Sequence, residues 1–200
     1  IAGLALPALS AGLGWRLALA CWVPVALLLA LWVPGRVARP AAGPRPPLRL
    51  ASANGWLLRL MAIQACAGLC LSSFITFFGV YASSLGVSPS SIGLMVSCFG
   101  LMGIASRLLL TPLGARLKDE TVLLGGLFLF GLGTLLVMQQ ASASNHLPLW
   151  LGVIGMGLSL VASNAVAMSM LLRDARFGGV ASSAGMLSLG FFGGIALGPP

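Results

Sequence analysis

The chain has 200 residues, 58% of them hydrophobic and only 7% charged, with a mean hydropathy of +1.05. A water-soluble domain carries about a quarter charged residues to hydrate its surface, so this composition excludes one and makes lipid the solvent. The formal net charge of +8 does not mark a nucleic-acid protein either, because the arginines sit in short segments between apolar runs. Nucleic-acid binders gather charge on one solvated face, whereas the spacing here is the one that sets membrane topology.

Residues 1–13 are apolar and glycine-rich, too short to span, and read as the tail of a truncated helix. No charged segment or cleavage site precedes them, so they do not read as a signal peptide. The chain opens at Ile1 and stops at Pro200 within apolar runs, which predicts a fragment. Gly14-Trp15-Arg16 then marks a membrane–water interface, and Leu17–Val33 is a span closed by Trp32 and Pro34. Residues 35–55 interleave Arg36, Arg39, Arg45 and Arg49 with Pro40, Pro44, Pro46 and Pro47. Proline removes backbone donors and favours extended chain, so this stretch is a solvated linker. A Pro-x-Pro-Pro run also fits an SH3-type ligand; a connector between two helix bundles is the simpler reading.

Trp56 and Arg59 mark the inner edge of the next span, Leu60–Ser83, and the uncharged turn 84–91 places its far end outside. About twenty mostly apolar residues follow, enough to cross a hydrocarbon layer of about 30 Å. Arg107, Arg116, Lys118, Asp119 and Glu120 then arrive close together. Val122–Met138 is the next span, followed by the loop 139–147, uncharged except for His146. Trp150 anchors the outer edge of a span ending at Leu172; Arg173, Asp174 and Arg176 return the chain inside, and Val180–Pro200 enters the membrane again. Inner segments 35–59, 107–118 and 173–176 hold the arginines and lysine, while outer turns 84–91 and 139–147 hold none. Charge and parity agree throughout, with Arg16 the one exception.

Enzymatic chemistry has little to stand on. There is one histidine, and the three acids read as lying in loops, so no nucleophile–base set or pair of in-span carboxylates is available. The four cysteines, Cys21, Cys66, Cys70 and Cys98, lie in apolar segments without metal-ligand spacing, implying neither disulfide nor metal. No cofactor is expected. Gly190, Gly194 and Gly198, and separately Gly155, Ser159, Ser163 and Ala167, recur every fourth position and predict closely packed helix faces. Polar residues inside spans are the site candidates: Gln64, Ser72, Ser73 and Thr76 in one, Ser159, Ser163, Asn164 and Ser169 in another. Gln64, Gly68, Ser72 and Thr76 are spaced four apart, as for one face. An amide in hydrocarbon without a partner costs several kcal/mol, so Gln64 and Asn164 must face protein or a water-filled cavity.

The stretch 86–117, GxSxxxIGLxxSxxGLxGIxSRLLLTPLGARL, resembles the eighth helix and following loop of major facilitator superfamily transporters. In that family's loop signature a glycine is followed after three residues by Asp-Arg and then by a second glycine. Here Thr111 stands at the first glycine, Ala115 at the aspartate, Arg116 at the arginine and Lys118 at the second glycine. Gly14-Trp15-Arg16 is similar to the introduction of the sixth helix, and residues 3–7 weakly echo 194–199, six apolar segments away.

The resemblance implies an all-α helical bundle running from the end of helix five to most of helix eleven: residues 1–34 ending a first six-helix half, 35–55 a cytoplasmic linker, 56–200 the second half. It implies alternating-access transport of a small-molecule solute, with a coupling proton or ion, in a bacterial inner membrane. Gln64, Ser72, Thr76, Ser163 and Asn164 would line the solute cavity, and Arg116 would hold the inner helix ends together in one conformation. The absence of a G-x-x-x-x-G-K loop argues against an ATP-driven pump within the stretch. The alternative is a non-transporting polytopic protein, a sensor or an assembly subunit.

Overall fold

Six α-helices follow one another in the computed structural model, which describes residues 20, 22–32, 54–114, 120–177 and 179–199. They are α1 (Trp22–Trp32), α2 (Gly55–Ser84), α3 (Pro89–Gly114), α4 (Glu120–Met138), α5 (Leu147–Arg173) and α6 (Val180–Leu197), with a 3-10 turn at Ala175–Phe177. Among the described residues the one extended pairing is an isolated antiparallel bridge between Ser142 and Asn145. The chain divides into two compact units, Ile1–Leu48 and Arg49–Pro200. Helix α1 belongs to the first and lies within the expected span Leu17–Val33; the other five build the second.

Local chemistry fixes the helix ends. Asn54 caps α2, its Oδ1 accepting from the Leu57 backbone N–H at 2.8 Å. At the other end Gly86 takes φ +79°, its N–H donates to the Ser83 carbonyl, and the Val87 N–H donates to the Ala82 carbonyl. These two bonds, with Val87 and Ala82 both buried, form a Schellman turn. A left-handed backbone costs a residue with a Cβ about 1–2 kcal/mol. Gly86→Val is therefore expected to lower stability by about that amount, although a Cβ there meets no atom within 4 Å; the midpoint of thermal unfolding in detergent checks it. Pro112, two residues before the end of α3, cannot donate to the carbonyl one turn back, and the helix stops shortly after it.

Helix α5 is the hub. Of its membrane-spanning stretch 61% is buried, against 28% for α2, 17% for α3 and 22% for α4. α3 and α4 each pack extensively on α5, while α2 pairs chiefly with α6 and touches α5 along a narrower seam. Small residues make these approaches possible. A Cβ on Gly157 would stand 2.6 Å from the Phe99 carbonyl oxygen of α3, and one on Gly155 would collide with Thr134 of α4. On the α2–α6 seam, Cβ atoms on Gly68 and Gly194 would collide with the backbones of Phe191 and Ala65 respectively.

Side chains between the helices form two apolar clusters. Phe74, Phe78, Met95, Leu149, Val153 and Met156 anchor the first. Leu57, Leu60, Leu127, Val166, Leu171 and Leu187 anchor the second. The two uncharged turns meet at one end of the bundle: Tyr81 Oη donates to the Met138 carbonyl at 3.2 Å, and His146 Nε2 lies 3.2 Å from the Leu85 carbonyl oxygen. The charged residues Arg59, Glu120, Arg173, Asp174 and Arg176 gather at the other end.

Two details differ from the sequence reading. Helix α3 continues through Arg107 to Gly114, so Arg107 is a helical, exposed residue rather than the start of a loop. Glu120 is not a loop acid. It is the first residue of α4, where negative charge complements the helix dipole, and it is only 9% exposed.

Candidate functional site

The boundary between the two apolar clusters is polar. On α2, Gln64 follows Leu60 and precedes Ala67, which belong to different clusters, and it is fully buried. Its Nε2 donates to the Ser163 carbonyl of α5 at 3.3 Å, tying the α2–α5 seam about a third of the way along α2. Its Oε1 is buried and accepts no hydrogen bond from the described residues. Next in sequence to that contact, Asn164 is half-buried and its Oδ1 is likewise buried without a partner. Two amide oxygens thus stand unsatisfied on two helices, bracketing one interhelical contact.

The serines behave differently, because a hydroxyl reaches its own helix. Ser163 Oγ donates to the Leu160 carbonyl at 2.8 Å and Ser159 Oγ to the Met156 carbonyl at 3.4 Å. Ser72 is half-buried beside Gly198, and Thr76 is exposed. The series Gln64, Gly68, Ser72, Thr76 thus turns from the core to the surface. Four residues overshoot a 3.6-residue turn by about 40°, so three steps carry the side chain about a third of the way round. Of the expected cavity residues, Gln64 and Ser163 meet on the seam and Asn164 adjoins Ser163 in sequence, while no hydrogen bond among the described residues joins Ser72 or Thr76 to them. Arg116, the expected conformational residue, lies outside the described residues.

Beyond the polar layer, Phe74, Ile75 and Phe78 of α2, Val96 and Phe99 of α3 and Val153 of α5 line a small, open apolar notch. Phe74 stacks on Phe78 at 5.4 Å between centroids and tilts against Phe99 at 5.5 Å. The described lining of this region offers amide groups and apolar side chains. Among its described residues there is no group to act as nucleophile or general base.

The charged end carries a buried carboxylate. Glu120 Oε2 accepts from Ser169 Oγ at 3.1 Å, and Oε1 forms an ion pair with the half-exposed Arg173 at 3.4 Å. Sequence reading missed it; an acid opening one span and an arginine closing the next was the available signal. Asp174, in the following turn, accepts from Arg176 Nε at 2.7 Å and from the Arg176 backbone N–H at 2.9 Å. Those bonds, the side-chain one foremost, hold its carboxyl below the usual value.

Four of the described helical stretches are long and apolar enough to cross a membrane: α2, Pro89–Leu110 of α3, α4 and α5. The family model for the Major Facilitator Superfamily matches residues 1–199. No curated protein and no solved structure matches the chain. A family match over all but the last residue, on helices of this length and apolarity, makes the chain a member of the Major Facilitator Superfamily: an integral membrane protein of the transporter type.

Proposed function

We propose that the protein carries a small solute across the membrane by alternating access, as a gradient-driven secondary transporter, and that Gln64 and Asn164 contribute to its solute path. The observation that carries this reading is the pair of unsatisfied amide oxygens, Gln64 Oε1 and Asn164 Oδ1, on α2 and α5. A buried acceptor left unpaired costs about 1–3 kcal/mol, and a solute or water offering a hydrogen-bond donor removes that penalty. Ser163, Ser72 and Thr76 are proposed as further cavity residues, Ser72 and Thr76 at its exposed margin. In the same reading residues 1–34 close a first six-helix half, 35–55 are a cytoplasmic linker and 56–200 supply helices seven to eleven. The membrane is a bacterial inner membrane, and a proton or ion drives the cycle.

The test is labelled-solute counterflow in vesicles containing the full-length protein, using a solute identified on wild type. Asn164→Leu and Gln64→Leu are each expected to reduce exchange at least about tenfold, the discrimination expected when a polar substrate contact is lost, with the protein still folded. Residues acting only as interhelical ties would instead cost about 0.6 kcal/mol of stability and leave exchange intact. Wild-type exchange in both variants rejects the assignment.

A further inference from the structure

At the charged end, one indole ring is flanked by two guanidinium groups. Trp56 and Arg59 are three residues apart in the first turns of α2, which places them on one face. The Arg59 guanidinium carbon lies 5.6 Å from the Trp56 ring centre. Arg176, from the 3-10 turn after α5, lies 5.3 Å from the same centre. All three side chains are exposed, Trp56 by 54%. The Asn54 side-chain amide donates to the Arg176 carbonyl, fastening that turn to the start of α2.

The charges do not balance. Glu120 pairs with Arg173 and Asp174 with Arg176, so both described carboxylates at this end are engaged. Among the described residues, no carboxylate pairs with Arg59. A guanidinium stacked on an aromatic ring covers its face and leaves its planar fork of N–H donors at the edge, the geometry that grips a phosphate. The first turn of α2 contains no acidic residue to compete for that fork. Helix α2 has 30 residues, about 45 Å at 1.5 Å per residue against a hydrocarbon layer of about 30 Å, so its ends lie in the headgroup region. Tryptophan favours that depth.

We infer that Trp56 and Arg59, with Arg176 fixed beside them, form a binding site for the phosphodiester headgroup of an anionic phospholipid. Arg59 supplies the hydrogen-bond donors, the indole sets the depth and holds the guanidinium, and Arg176 adds positive potential. A neutral headgroup lipid lacks the net charge that Arg59 requires.

Native mass spectrometry of the full-length protein, with phosphatidylglycerol or phosphatidylcholine added to the detergent, tests this. Wild type is expected to retain phosphatidylglycerol in preference. Arg59→Gln is expected to weaken that retention about five-fold, the effect of one interfacial cation, and Arg59→Lys to restore part of it. Arg107→Gln removes an exposed arginine that stacks on no ring and is expected to leave retention unchanged. Should Arg59→Gln not fold, Trp56→Leu keeps both arginines, removes their common ring, and is expected to lower retention likewise. Wild-type retention in the Arg59 or Trp56 variants overturns the proposal, as does an equal loss in Arg107→Gln, which marks diffuse charge attraction. Displacement of the lipid by inorganic phosphate at matching concentration identifies free phosphate as the ligand and overturns the lipid assignment.

Discussion

Gly194→Ala is expected to destabilise the protein by about 1–3 kcal/mol, the usual range for an overpacked contact, whereas Gly193→Ala one residue earlier is expected to be silent or slightly stabilising. The two glycines sit in the same turn of α6 but face opposite conditions. A Cβ on Gly194 would collide with the Ala65 carbonyl oxygen and lie 2.9 Å from its Cα, whereas one on Gly193 would meet nothing within 4 Å. The obstacle is backbone rather than a flexible side chain, so relief requires α2 and α6 to separate. Alanine at Gly193 gains helix propensity of up to about 1 kcal/mol. Thermal unfolding midpoints of the two variants in one detergent decide it. Equal shifts would show that the seam is looser than the structure has it.

Arg173→Ala is expected to cost more than Glu120→Gln, about 2 kcal/mol against 1 or less. The asymmetry follows from burial: the Arg173 side chain is 49% exposed and Glu120 is 9% exposed. Removing the arginine strands a carboxylate that has, among the described residues, only the Ser169 hydroxyl left to it, and a buried, uncompensated charge is the costly half of a broken pair. Replacing the carboxylate by an amide leaves a guanidinium that is already half-exposed to water, and a partly exposed pair contributes little by itself. The full buried-pair cost of about 3–5 kcal/mol is discounted because Arg173 reaches solvent. Chemical denaturation of the two variants compares them directly, and a larger loss for Glu120→Gln contradicts the burial argument.

The spans were legible in the sequence because lipid forces each crossing helix to be a continuous apolar run, punctuated by the turns 84–91 and 139–147 where the chain reverses. The close-packed faces were legible too: the four-residue spacing of Gly190, Gly194 and Gly198 becomes the backbone contact of α6 with α2. What the sequence concealed was partnership. Nothing in α2 announces that it pairs with α6, more than a hundred residues on, rather than with α3 across a four-residue turn. Gln64 was visible as a buried amide, but its partner is the main-chain carbonyl of Ser163, which no residue type betrays. Glu120 was read as a loop acid because its burial depends on Ser169 and Arg173, both from another helix.

The hub arrangement also fixes an order of events during synthesis. Helices α2, α3 and α4 emerge before α5 and α6, yet α3 and α4 scarcely touch, and the main partners of all three are α5 and α6. Within this unit α3 and α4 must therefore wait in the bilayer as separate apolar helices, solvated by acyl chains, until α5 is inserted, and α2 until α6 follows. Helix α5, with a larger buried share than α2, α3 or α4, enters a membrane that already holds its neighbours and can exchange lipid for protein as it arrives. Assembly of this unit is thus a late, collective step, and a ribosome stalled before α5 would leave α3 and α4 inserted without the helix that joins them.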